Sequence, residues 1–180
     1  EKLLQFGAAA LSEAELLAGG LYLSLGLHTE AEQIFDRLLA GPVALAVRDR
    51  ARFYLARIGY QRGYFAGALR NLELVQQPLP GQLEPERRLL EANVLMSLGR
   101  HGEAAQRLER WSDTSGWSHY ARFNLGVALV RAGDTARGRQ FLEQVGTLQA
   151  ANEEQASLRD RANLALGFAL LQQQGGEDPT

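Results

Sequence analysis

Cysteine is absent from the 180 residues. That removes disulfides, thiolate metal sites and a cysteine nucleophile, and it leaves both reducing and oxidising compartments open. Lysine is almost absent: Lys2 stands alone against eighteen arginines, which reads as a GC-rich, bacterial coding bias rather than a binding site. Proline occurs five times and no long β-branched run is present, while Leu, Ala, Glu, Gln and Arg, all good helix formers, dominate. An excess of one charge is lacking too. The net charge is −2 and the pI about 6.0, so the strong basic surplus of a nucleic-acid footprint is missing. No basic-then-apolar leader is visible, and no run approaches the roughly 18 apolar residues of a membrane span. The opening on Glu1 without Met suggests a processed protein or an excised piece. Location stays open between cytoplasm and periplasm, with a lean to the cell envelope if a signal peptide has been removed.

What is there is repetition. Residues 121–133 read ARFNLGVALVRAG, and 70 residues earlier 51–63 read ARFYLARIGYQRG. A third copy, EANVLMSLG from Glu91 to Gly99, lies about midway and ends on the same glycine. Self-similarity at a fixed period of about 35 residues marks a repeat architecture. With 46% hydrophobic residues the chain can build a substantial core.

The punctuation predicts helices in pairs. Glu1–Leu11 reads as the tail of a preceding helix or a frayed lead-in. Ser12 to Glu15 and Thr29 to Glu32 have the form of capping boxes. They predict helices over 12–25 and from 29 to about 40, separated by Gly26 and stopped by Gly41-Pro42. The second pair covers about 44–61 and 64–76 around Gly63, with Pro78 and Pro80 after it. The third starts near Pro85, breaks at Gly99 and resumes to Trp111. Residues 112–117 (SDTSGW) are a loop by composition. The fourth pair spans about 118–132 and 135–145, with Asp134 as N-cap. Residues 149–160 form an extra stretch before a last copy, RANLALGFALLQQQ, and 175–180 form a mobile tail. Arg48-Asp49-Arg50-Ala51 returns as Arg159-Asp160-Arg161-Ala162, either as a solvated first helical turn or as a paired basic lip.

These pairs resemble the tetratricopeptide repeat, a helix–turn–helix unit of 34 residues. The residues that carry the resemblance are Ala18-Gly19, Tyr22, Gly26, Ala31 and Phe35 in the first copy, and Leu55-Ala56, Gly63, Ala68, Leu72 and Pro80 in the second. The third offers Ala92, Leu95, Gly99, Ala104 and Leu108. The fourth offers Leu125-Gly126, Leu129, Gly133 and Leu142, with Gly138 in place of the alanine. A fifth first helix offers Leu166-Gly167 and Leu170, and no second helix follows it. The chain departs from the pattern at Gly59 and Glu91. The resemblance implies an all-α, right-handed α-solenoid of about four antiparallel pairs plus a C-terminal capping helix. It would be a single domain over 1–180, with repeats at 12–45, 49–82, 85–118 and 119–152 and a half repeat at 160–175.

It also implies that the first helix of each pair lines an inner, concave face. Carried over by register, that face holds Leu16, Gly20 and Leu23, then Phe53, Arg57 and Tyr60, then Leu89, Asn93 and Met96. Tyr120, Phe123, Val127, Val130 and Arg131 follow, and finally Leu164 and Phe168. The expected binding residues are Phe53, Arg57, Tyr60, Leu89, Asn93, Met96, Tyr120, Phe123, Val127 and Arg131. An apolar, aromatic surface with arginines suits a protein partner, though the phenylalanine spacing also fits core. Some family members grip an acidic C-terminus with Lys, Asn and Arg on this face. Here those places hold Leu16, Phe53, Leu89 and Phe123, and only Asn93 fits.

Motifs for chemistry are missing. Gly19-Gly20-Leu21 lacks the Lys and Ser/Thr of a phosphate loop. His28 and His101 occupy equivalent turn positions, and His119 has no partner pattern of a metal site or triad. The expectation is a non-catalytic scaffold that uses no cofactor or metal and binds a protein or peptide segment, with self-association left open. The alternative is a docking or regulatory module of a larger enzyme or envelope assembly.

Overall fold

The computed structural model describes residues 2–112 and 118–175. Glu1, residues 113–117 of the expected loop and residues 176–180 of the expected tail lie outside them, as do the side chains of Leu3, Ser112, Gln172, Gln173 and Gln174. The described residues are all-helical, with nine helices and no strand. These are α1 (Lys2–Ser24), α2 (His28–Ala40), α3 (Leu45–Gln61), α4 (Phe65–Glu73), α5 (Leu83–Ser97), α6 (His101–Ser112), α7 (His119–Arg131), α8 (Thr135–Gly146) and α9 (Glu153–Gly175). They fall into two compact units, 1–94 and 95–180, divided within α5.

One hinge recurs four times. Gly26, Gly63, Gly99 and Gly133 have φ between 74 and 95°, the left-handed region that an L side chain avoids. Each N–H bonds three residues back, and the following N–H bonds five back, as in Leu27 to Tyr22 O and Asp134 to Leu129 O, both 2.9 Å. This is the Schellman closure. It ends the first helix and points the chain into the second.

In the first unit α1 packs on α2, α2 on α3 and α3 on α4, and α1 also reaches α3. The shared core is Leu16, Ala31, Phe35, Leu38, Val47, Ala51, Leu55 and Ile58. In the second unit α6 packs on α7, α7 on α8, α8 on α9, and α7 reaches α9, around Phe123, Leu142, Val145, Leu158 and Ala162. Small residues set the spacing between helices. A Cβ on Gly19 would lie 2.6 Å from the Phe35 ring, and one on Gly126 would lie 2.8 Å from Leu142 Cγ. Gly138, where the repeat pattern has alanine, is held to glycine because a Cβ would stand 2.7 Å from Gly126 O.

The ends of several helices differ from the sequence reading. α1 is continuous through Ser12, whose hydroxyl donates to Ala8 O at 3.0 Å; unbroken helix formers on both sides override the capping-box pattern. α2 begins at His28 with no side-chain cap. Thr29 and Glu32 serve Arg62 instead, whose guanidinium donates to Thr29 Oγ1 (3.1 Å) and Glu32 Oε2 (2.5 Å). Asp134 does cap α8 by accepting from Arg137 N. The extra stretch at 149–160 is helical from Glu153. Asn152 Oδ1 accepts from Gln155 N (2.9 Å), and Gln155 Oε1 accepts from Ala151 N (3.0 Å), a reciprocal cap.

The two Arg-Asp-Arg copies are not equivalent. Asp49 is 1% exposed and accepts from Gln76 N (3.2 Å) and Gln77 N (3.0 Å), tying down the chain after α4. It is neither a solvated first turn nor part of a basic lip. Asp160 is on the surface beside Arg159.

Glu84, in the first turn of α5, has every acceptor position engaged. Oε1 takes bonds from Arg87 Nη2 and Arg88 Nε, both 2.8 Å, and Oε2 from Arg87 Nε (2.9 Å) and Leu79 N (3.0 Å). Burial alone would raise its pKa; the Arg87, Leu79 and Arg88 donors outweigh that and hold it at about 2. A carboxyl depressed in the folded state stabilises above its ordinary value of 4.5 and loses that contribution as pH falls through the folded value. Stability is therefore expected to fall between pH 4.5 and 2 by about 1–2 kcal/mol from this group, after allowance for solvent screening. Glu84→Gln should flatten that part of the pH dependence in thermal melts; an unchanged slope would contradict the assignment.

Candidate functional site

Each unit carries a cleft: odd-numbered helices wall the first, and helices of both parities wall the second. In the first unit a cleft of about 550 Å³ lies between α1 (Leu16, Leu17, Gly20, Leu23, Ser24), α3 (Arg50, Tyr54, Arg57, Gln61) and the start of α5 (Leu83, Glu86). The α3 residues recur every three or four positions, one face of one helix. Gly20 leaves the floor open, since a Cβ there would meet nothing within 4 Å. The floor is otherwise leucine and the Tyr54 ring, which stacks on Phe35 with centroids 5.1 Å apart. Burial pushes the Tyr54 phenol upward in pKa, so it stays a neutral hydroxyl.

Charge lines the mouth in pairs. Arg50 bonds Glu13. Arg57 faces Glu86 at 3.7 Å with about half of each side chain exposed. An exposed pair this loose contributes little, so a ligand's carbonyl or carboxylate can take the guanidinium at small cost.

In the second unit a cleft of about 440 Å³ is walled by His101 of α6, Val127, Val130 and Arg131 of α7, Leu142 of α8, and Ala165, Phe168 and Ala169 of α9. Its walls are apolar except for Arg131 and the imidazole. It can hold an aliphatic or aromatic side chain with a cation at the rim.

The expected binding residues divide between these clefts and the packing. Arg57, Val127 and Arg131 wall them, as do Leu16, Gly20, Leu23, Val130 and Phe168. Phe53 does not: it is 1% exposed and lies against Tyr54 inside the unit. Tyr60 packs its ring on Phe65, 5.6 Å between centroids, because its side of α3 faces α4. Phe123 is 7% exposed, and the Arg161 guanidinium covers its ring at 4.9 Å. Tyr120 donates its hydroxyl to Glu154 Oε1 at 3.0 Å; burial and then that carboxylate raise its pKa. Leu89, Asn93 and Met96 are half-buried on α5, outside the walls of both clefts. Tyr54, Gln61 and Glu86 are cleft residues that the register did not indicate. The signal for Tyr54 was its spacing of four from Arg50 and three from Arg57.

Among the described residues no group of three or more His, Asp or Glu is arranged to hold a metal ion, and no helix is long and apolar enough to cross a membrane. None of the protein-family models, curated proteins or solved structures matches this chain.

Proposed function

We propose that the chain is a right-handed α-solenoid of tetratricopeptide type and a non-catalytic scaffold that binds an extended or helical polypeptide segment. One observation carries the reading: α1, α3 and α5, the first helices of three successive pairs, wall a single cleft with residues about one turn apart on each helix. A leucine-rich floor takes apolar side chains, and the exchangeable Arg57–Glu86 pair takes backbone or carboxylate groups. The recurrent glycine hinge and the packing of α1 on α3 and of α7 on α9 support stacked pairs over an unrelated bundle.

Peptides selected by display against the full chain provide the test. Gly20→Phe fills the cleft floor where the space is open, and Arg57→Glu reverses the charge at its mouth. Each is expected to weaken a selected peptide by about tenfold or more in calorimetry, with the thermal melt unchanged. Affinity unaffected by either substitution would remove the cleft from the account.

A second reading is favoured by α1. Leu4 and Phe6 are each 81% exposed, and Leu11, Leu17 and Leu21 are 62–71% exposed. An apolar flank of that extent suits burial against a neighbour, as in a docking module of a larger enzyme or envelope assembly. The complete coding sequence around this segment separates the two readings.

A further inference from the structure

The uncovered side of α9 repeats the arrangement that closes α7 on α8. There Gly126 lies under Leu142 and Gly138 lies under Val130, with Cβ positions 2.8 and 2.7 Å from those side chains. Each helix offers a glycine and, four residues later, a branched side chain. In the antiparallel crossing each glycine receives the other helix's side chain. Gly167 and Leu171 have the same spacing on α9. The inner side of α9 is occupied, with Leu158, Ala162 and Ala169 at most 1% exposed. The Gly167 side is not. A Cβ there would meet nothing within 4 Å, and Leu164, Phe168 and Leu171 are 63, 61 and 65% exposed.

We propose that this face is the two-fold interface of a homodimer, in which α9 crosses α9 of a second copy antiparallel and each Gly167 receives the other copy's Leu171. The occupant is a second copy because one helix carries both halves of the closure. A two-fold axis brings those halves together twice, which is the self-complementarity of an isologous contact. Charge agrees: residues 162–175 contain no charged side chain, so two copies meet without like-charge repulsion along this face. In the first pair too a large side chain, Phe35, sits over a first-helix glycine, Gly19.

Sedimentation velocity of the full chain over a dilution series tests it. The expected species at high concentration has twice the mass of the 19.8 kDa chain and dissociates on dilution. Gly167→Ala should weaken the dimer by about tenfold or more. At the dilute end its melting temperature should hold or rise, since alanine is the better helix former where space is open. Leu171→Glu should leave monomer only. A wild-type chain that is monomeric throughout overturns the proposal, and so does a dimer that both substitutions leave intact. The peptide test reads Gly20 and Arg57 in the first unit's cleft, which α9 does not wall, so this result and the peptide-binding result are independent.

Discussion

Replacing Phe35 by alanine is expected to cost about 3–5 kcal/mol of stability, the usual range for a fully buried phenylalanine. For a chain of this length that lowers the melting temperature by roughly 10–15 °C. Phe35 is 0% exposed, and three contacts depend on its ring. It fills the space above Gly19, stacks on Tyr54 and joins α1, α2 and α3 in one core. Removing the ring leaves a void that the hinge at Gly26 cannot close, since the turn fixes where α2 starts. Phe35→Leu keeps most of the volume and should cost only about 1 kcal/mol. Thermal and urea melts followed by circular dichroism give the values; a loss under about 1 kcal/mol for the alanine variant would mean that the first pair is not closed through this residue.

Gly138→Ala is expected to reverse the sign that helix propensity assigns to it. In an open helix the change stabilises by about 1 kcal/mol. Here the added methyl would stand 2.7 Å from Gly126 O and from Val130 Cγ2, and 2.8 Å from Val130 N. Two of those atoms are backbone, so α7 must move away and Leu142 and Val145 lose packing with it. A net loss of about 2–3 kcal/mol is expected from such overpacking. Gly102→Ala is the internal comparison. Its Cβ meets nothing within 4 Å, and the substitution should be neutral or mildly stabilising. If both alanines stabilise alike in thermal melts, α7 and α8 do not approach at Gly138.

The sequence made the helix pairs readable because glycine hinges and large seam residues are local, periodic signals. Gly26, Gly63, Gly99 and Gly133 end helices as expected, and Phe35, Leu72, Leu108 and Leu142 are buried, whereas Tyr22, expected in the same seam, is 39% exposed. The face of α3 was harder. Val47, Ala51, Phe53, Leu55, Ala56 and Ile58 are all buried, so apolar residues lie on several sides of the helix, and the narrow stripe of Arg50, Tyr54, Arg57 and Gln61 is the one polar mark of the cleft side. Phe53 and Tyr54 are adjacent, about 100° apart on the helix; only tertiary packing sends the first inward and the second to the cleft. Arg57 belongs to either face by spacing and was readable. Caps misled because Ser12 and Thr29 match a four-residue pattern that any exposed helix surface can carry. Asn152 and Gln155 match the same pattern and do form the cap.

Hydrogen exchange of the full chain with and without a display-selected peptide tests most directly whether the odd-numbered helices are the binding face. The expected result is slowed exchange in residues 16–24 of α1 and 50–61 of α3, with α2 and α4 unchanged, and loss of that protection in Gly20→Phe. Protection confined to α2 and α4, or protection of α1 and α3 that survives in Gly20→Phe, would contradict it.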